Sequence, residues 1–169
     1  MQDEAQRLAE ARAAYAGFVD GFRSLIIASI DDEQGPGASY APFVRDDAGN
    51  FYIFVSLLAE HTRNLLARPR AAVMLIEPEA QARQIFARRR VTYRCRVEDV
   101  PRESQEASVH LARFREQFGE IMELLGGLGD FRLLRLVPTE GRFVIGFGQA
   151  YRLRGDRLEV LEPIGPEQR

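Results

Sequence analysis

Val91-Thr92-Tyr93-Arg94-Cys95-Arg96-Val97-Glu98 alternates without a break. Successive side chains of a strand point to opposite sides, so Val91, Tyr93, Cys95 and Val97 share one face and Thr92, Arg94, Arg96 and Glu98 the other. One face against a core and one toward solvent is the usual condition of an antiparallel sheet. The flanking sequence agrees. Residues 71–76 form a continuous apolar run of strand length and predict a central strand. Further upstream, residues 25–30, 38–45 and 51–55 are short apolar segments separated by the turns 31–35 and 46–50, a meander. Pro42 cannot donate a ladder hydrogen bond and predicts an edge, a bulge or an opening beside a ligand. Downstream, residues 131–137 and 142–147 predict a hairpin turning at 138–141, followed by a weaker pair at 151–153 and 157–160.

Three segments carry helical spacing instead. Leu8, Ala11, Tyr15, Phe18, Val19 and Phe22 predict an N-terminal helix over 3–22. A short helix starts near 59–62 and stops at Pro69, and a long one runs from a Ser104 cap to about 125. Strands outnumber helices and follow one another at hairpin distance, which predicts a mostly β fold, an antiparallel β-barrel with peripheral helices. With 169 residues, no linker and no repeat, residues 1–169 form a single domain with a C-terminal tail at 154–169.

Composition removes whole classes of chemistry. All 23 basic residues are Arg, so no lysine Schiff base and no P-loop lysine is available. One Cys and two His are too few for a Cys/His zinc site or a protein-held iron–sulfur cluster, and they exclude an internal disulfide. The net charge of −2 argues against a nucleic-acid partner. No run approaches the ~20 apolar residues of a membrane span, and Asp3 and Glu4 open a terminus without the apolar stretch of a signal peptide. The expected compartment is cytoplasmic.

Two stretches point to an anion. Residues 83–96 hold six Arg and no acid. Arg94 and Arg96 read as a solvated face, whereas Arg88, Arg89 and Arg90 at the strand entrance lean toward a phosphate or carboxylate ligand. Glu60-His61-Thr62-Arg63-Asn64 opens a helix, where free N–H groups attract anions; the competing reading is an ordinary start capped by Thr62. Cys95 faces the core as an inert thiol, and His110 lies among Val109 and Leu111 as a structural residue.

Taken together, residues 38–44 (ASYAPFV), Ser56 through His61-Thr62-Arg63-Asn64, Pro69-Arg70-Ala71, residues 84–88, Asp130-Phe131-Arg132-Leu133 and residues 141–148 resemble the HugZ/HutZ haem-utilisation branch of the pyridoxamine 5′-phosphate oxidase-like, FMN-binding split barrels. The resemblance spans about residues 10–153. It implies a six-stranded antiparallel split β-barrel and a homodimer with two cofactor sites at the subunit interface. It places a small anionic cofactor, FMN, against Ser39, Tyr40 and Phe43, with Val55, Ser56, His61, Thr62 and Arg63 at its phosphate and Arg90 reaching over from the partner subunit. The activity it implies is that of a flavin-dependent oxidoreductase. The alternatives are haem binding or degradation, and a carrier without catalysis. Haem-branch relatives resemble the chain at His61, Arg90 and Asp130 and supply the iron ligand from a His in the C-terminal tail. This tail has none, so no metal ligand is expected unless haem binds, in which case His61 is the candidate.

Overall fold

The structure, a computed structural model, describes residues 2–165. Eight strands form one antiparallel sheet: β1 (Ser24–Ile30), β2 (Pro36–Arg45), β3 (Phe51–Ser56), β4 (Arg70–Ile76), β5 (Arg90–Val100), β6 (Phe131–Gly146), β7 (Gln149–Arg154) and β8 (Val160–Pro163). The order is β3-β2-β1-β4-β5-β6-β7-β8, and β3 also pairs with β6. That pairing closes the first six strands into the expected barrel; β7 and β8 extend it from β6. The helices are α1 (Gln2–Ala16), α2 (Glu60–Ala67), α3 (Gln105–Phe118) and α4 (Ile121–Gly126). Among the described residues no helix is long and apolar enough to cross a membrane.

Closure depends on β6, a single strand of 16 residues where a hairpin was expected. The predicted turn residues lie inside it. The register to β5 slips between Arg94 and Cys95, so that Arg94 faces Glu140 while Cys95 faces Pro138. Thr139 is the extra residue, and its hydroxyl donates to the Arg94 carbonyl at 3.1 Å. A bulge tolerates Pro138, which has no N–H to give, and it bends the strand. The first half of β6 pairs with β3 and the second half with β7. Gly141 belongs to the same bend. A Cβ there would lie 2.6 Å from Leu153 Cδ1 on the neighbouring strand.

Pro42 also marks a handover. Residues 36–42 of β2 pair with β1, and from Phe43 onward β2 pairs with β3. The core inside the barrel takes Leu25, Ile27, Phe51, Ile53, Val73, Val91, Tyr93, Leu134, Leu136 and Phe143. A second core lies outside it, where Val44, Tyr52, Phe54, Val100 and Leu133 meet Ala107 and Phe114 of α3 and Met122 of α4. β3 is therefore buried on both faces. The opposite exterior, formed by β1, β4 and the first half of β2, leaves Ile26, Ile30 and Tyr40 exposed. α2 packs against β1, β2 and β5 and seals one end of the barrel, with Leu65 fully buried in the inner core and Asn64 donating to Ser29 Oγ at 3.2 Å.

Three predicted boundaries move. The N-terminal helix stops at Ala16, and Val19–Gly21 form a single 3₁₀ turn where the helix was expected to continue to 22. The long helix predicted to 125 breaks at Gly119, whose φ of 74° no helix accommodates, giving α3 and α4. The last strand starts at Val160, after a turn through Gly155, and Leu158, Leu161 and Ile164 are buried, so the tail from 154 folds back as a hairpin. Residues 166–169 lie outside the described residues.

Cys95 is buried and its thiol is pushed up to about 12 by desolvation, as expected of an inert core group. His110 stacks flat on Tyr52 with centroids 3.5 Å apart, and its Nδ1 has no partner among the described residues. Burial, aided by the charge of Arg113, holds its pKa below the ordinary 6.5.

Two outcomes are expected. Leu65→Ala removes the plug beneath α2 and costs about 2–5 kcal/mol in denaturant melts. As pH falls through the ordinary histidine range, the unfolded chain takes up its proton before buried His110 does. The stability is therefore complete above that range and lost on descent toward the folded value. Thermal melts from about pH 7.5 to about pH 5.5 lose Tm, and His110→Gln reduces the loss, leaving the share of His61, whose pKa burial also lowers.

Candidate functional site

The segment from β3 into α2 is built by short polar contacts. Ser56 Oγ donates to Asp130 Oδ2 and accepts from the Leu58 N–H at 3.0 Å, and the Leu57 N–H reaches the Asp130 carbonyl at 2.9 Å. Asp130 precedes β6, and Ser56 pairs with Phe131, so barrel closure brings the two together. Arg63 folds back and its Nη1 donates to the Leu57 and Leu58 carbonyls at 3.0 and 2.9 Å. Ala59 is the N-cap of α2 and offers no side-chain cap. Thr62, expected either to cap or to bind, does not cap: it is fully buried and its Oγ1 has no partner among the described residues.

His61 sits in this first turn with Nδ1 2.8 Å from Ser39 Oγ, while Nε2 is buried without a partner among the described residues. An orphaned acceptor is tolerated better than an orphaned N–H. This favours the tautomer in which Nδ1–H donates to Ser39 and Nε2 keeps its lone pair. Burial lowers the pKa of the ring, so it is neutral around pH 7.

The other predicted residues separate into two places. Phe43 and Val55 contribute their side chains to the core, and the Phe43 backbone is engaged on both sides, its N–H by the Arg23 carbonyl at 3.1 Å and its carbonyl by Gln117 Nε2 at 3.1 Å. Tyr40 stands on the outer face, 69% exposed and opposite Ile26. Arg90 begins β5, opposite Ile76 and Val144, and its Nη1 donates to the Arg88 carbonyl at 3.0 Å. Three strand spacings separate β2 from β5 in the sheet order, on the order of 14 Å. One chain does not bring Arg90 to the Ser39–His61 pair.

The arginine triplet also divides. Glu77, 6% exposed, accepts from the Arg89 N–H at 2.7 Å and Arg89 Nε at 3.0 Å, while Arg88 bonds the Glu77 carbonyl at 3.0 Å and Glu79 at 3.2 Å. Against the cost of burial, the Arg89 N–H and guanidinium hold the Glu77 carboxyl below its ordinary value. Arg88 and Arg89 thus fix the loop between β4 and β5, and their position at a strand entrance is explained without a ligand. Arg94 is exposed and pairs with Glu140 at 3.4 Å, as a solvated face requires.

Sequence reasoning passed over two features. Ser56 and Asp130 were each noted, but their bond joins residues 74 apart and no local pattern announces it. Beside Arg90 lies a groove of about 1220 Å³ across the outer face of β5, β6 and β7, lined by Arg142 and Arg152 and by Phe86 and Phe147. Its signal in the sequence is faint: Arg142, Arg152 and Arg154 fall on the outward set of alternating positions.

The model of the pyridoxamine 5′-phosphate oxidase family matches residues 11–145. The chain is 43% identical over 136 residues to the haem oxygenase HutZ of Vibrio cholerae, which covers 80% of this chain and 77% of HutZ. The crystal structure of HutZ, the haem storage protein of Vibrio cholerae, matches with a TM-score of 0.71 and 37% identity, over 75% of this chain and 88% of that one. ChuZ of Campylobacter jejuni matches with a TM-score of 0.83 and 27% identity over 95% of this chain, which spans 65% of ChuZ. Barrel, motifs and relatives agree: the chain belongs to the pyridoxamine 5′-phosphate oxidase-like split-barrel family, in its HugZ/HutZ branch.

Proposed function

We propose that this protein binds haem and degrades it oxidatively, as a homodimer whose cofactor site is assembled from both subunits. The 43% identity to a haem oxygenase over 136 residues carries this reading. The donor chemistry agrees with it. His110 of α3 is stacked on Tyr52 of β3, so His61 is the imidazole at the candidate site, neutral and with its unpartnered Nε2 lone pair fit for iron. Nε2 is covered in the single chain, so ligation there requires the first turn of α2 to shift.

When bound, haem supplies a redox-active iron for oxygen chemistry on its own ring. The chain supplies the setting. Ser39 holds His61 in the tautomer that leaves Nε2 bare, a role outer-shell partners of metal-binding imidazoles often fill. The Ser56–Asp130 bond and the Arg63 contacts fix the loop before α2. Arg90 brings a planar guanidinium fork of N–H donors.

Two subunits are needed because His61 and Arg90 lie apart in one chain. The exposed exterior of β1, β4 and the first half of β2 supports the pairing. Ile26 is 38% exposed and sits between Tyr40 and Met74 in the cross-strand register, and Ala28 sits between Ala38 and Ala72, so the strip is apolar throughout. Burying it against a second copy would remove apolar area from water and exclude solvent from the site.

Flavin binding is the second reading, supported by the family. At the start of α2, however, Arg63 is turned to backbone carbonyls and Glu60 places a carboxylate in the first turn, which disfavours a phosphate there. A carrier role is a variant of the haem reading, in which haem is bound without turnover.

Titration with haemin is expected to give a saturable Soret band at one haem per chain, weakened at least tenfold in affinity by His61→Ala. Ascorbate and oxygen should then bleach the band and release iron; a stable band under those conditions indicates a carrier. Saturable quenching of FMN fluorescence without a haem response would establish the flavin reading instead. In sedimentation equilibrium the wild type is expected as a dimer, and Ile26→Asp with Met74→Asp as a monomer of lower haem affinity.

A further inference from the structure

The groove beside Arg90 has a charge pattern that the barrel does not explain. Arg142 and Arg152 are directly opposite one another on β6 and β7, and both are exposed. Like charges facing each other across two strands repel. Neither makes an ion pair or hydrogen bond with a described residue. The nearby acids are committed elsewhere: Glu140 pairs with Arg94 at 3.4 Å, and Glu162, although opposite Arg152 in register, pairs with Arg154 at 3.1 Å. Asp156 lines the turn end of the groove and is the one lining acid left without an ion pair among the described residues. Two rings stand at the rim with little cover, Phe86 at 82% exposure and Phe147 at 68%, and Val144 lies between the strands on the same face. Adjacent guanidiniums beside exposed apolar rings suit a flat apolar ligand with two carboxylates on one edge, since each guanidinium can hold a carboxylate by paired hydrogen bonds.

We propose that Arg142 and Arg152 bind the two carboxylates of the tetrapyrrole while Phe86, Val144 and Phe147 contact its apolar part. The inference rests on the haem reading and extends it, assigning carboxylate recognition to a wall of the groove that Arg90 also lines. It accounts for the uncompensated arginine pair: the repulsion across β6 and β7 is relieved when ligand charge arrives.

The test compares haemin with its dimethyl ester, which has the same ring and iron but no carboxylates. In the double variant Arg142→Gln, Arg152→Gln the Kd for haemin is expected to rise at least tenfold, with the Kd for the ester unchanged, which also shows that the variant is folded. Arg115→Gln, which breaks an exposed pair with Glu123 between α3 and α4, away from the groove, should leave both values in place. The wild type gives a second measurement that needs no substitution: raising the salt concentration should weaken haemin and spare the ester. Equal haemin affinity in wild type and double variant, or an equal salt response of the two ligands, overturns the arginine assignment and leaves the haem reading standing. A wild type that binds neither ligand overturns both.

Discussion

The barrel is held closed by one strand serving three neighbours. β6 pairs with β5 along nearly its whole length, with β3 through its first half and with β7 through its second. A straight strand could not do this, because neighbours on both edges of a closing sheet diverge as the sheet curls. The slip at Arg94 and Cys95, with Thr139 inserted and Pro138 tolerated, provides the bend. Remove that device and β3 loses its second partner, leaving edges on β3 and β6 that would pair with any available strand.

Closure also decides where chemistry can occur. The inner core fills the barrel with Phe51, Tyr93, Phe143 and their neighbours, so no ligand can enter as it does in wider barrels. α3 and α4 cover the exterior beside β3 and β6, tied down by Arg135, which bonds Glu98 on β5 and Glu106 on α3. What is left is the barrel end sealed by α2 and the bare outer face of the remaining strands. The Ser39–His61 pair belongs to the first and Arg90 to the second. Strand order alone keeps the two places apart within one chain.

The strands were legible because local alternation is set by the same faces that the barrel buries: residues 91–98 read correctly, and β5 only adds a residue or two at each end. Long-range devices were not. Pro138-Thr139-Glu140-Gly141 has the composition of a turn, and only the β5 register turns it into a bulge. Gly119 splits a helix whose apolar spacing runs straight past it. At the site, His61 and Ser39 were both visible from the family motifs, but their bond spans 22 residues. Thr62 read as a cap because caps are judged by residue type, whereas the first turn of α2 points it into the barrel end, away from solvent.

The arginines show why charge content alone misleads. The sequence concentrates them at 83–96, and the densest run, Arg88-Arg89-Arg90, looks most like an anion site. In the fold, Glu77 and Glu79 absorb the first two, and a buried carboxylate with paired hydrogen bonds makes that stretch a structural staple. The arginines at the groove left without partners among the described residues, Arg142 and Arg152, come from a stretch with no special density. Their significance comes from register: two strands place them opposite each other, while the acids within reach answer to other arginines. An anion site is marked by uncompensated charge held in a fixed geometry, and compensation is a property of the folded sheet that a count along the chain cannot contain.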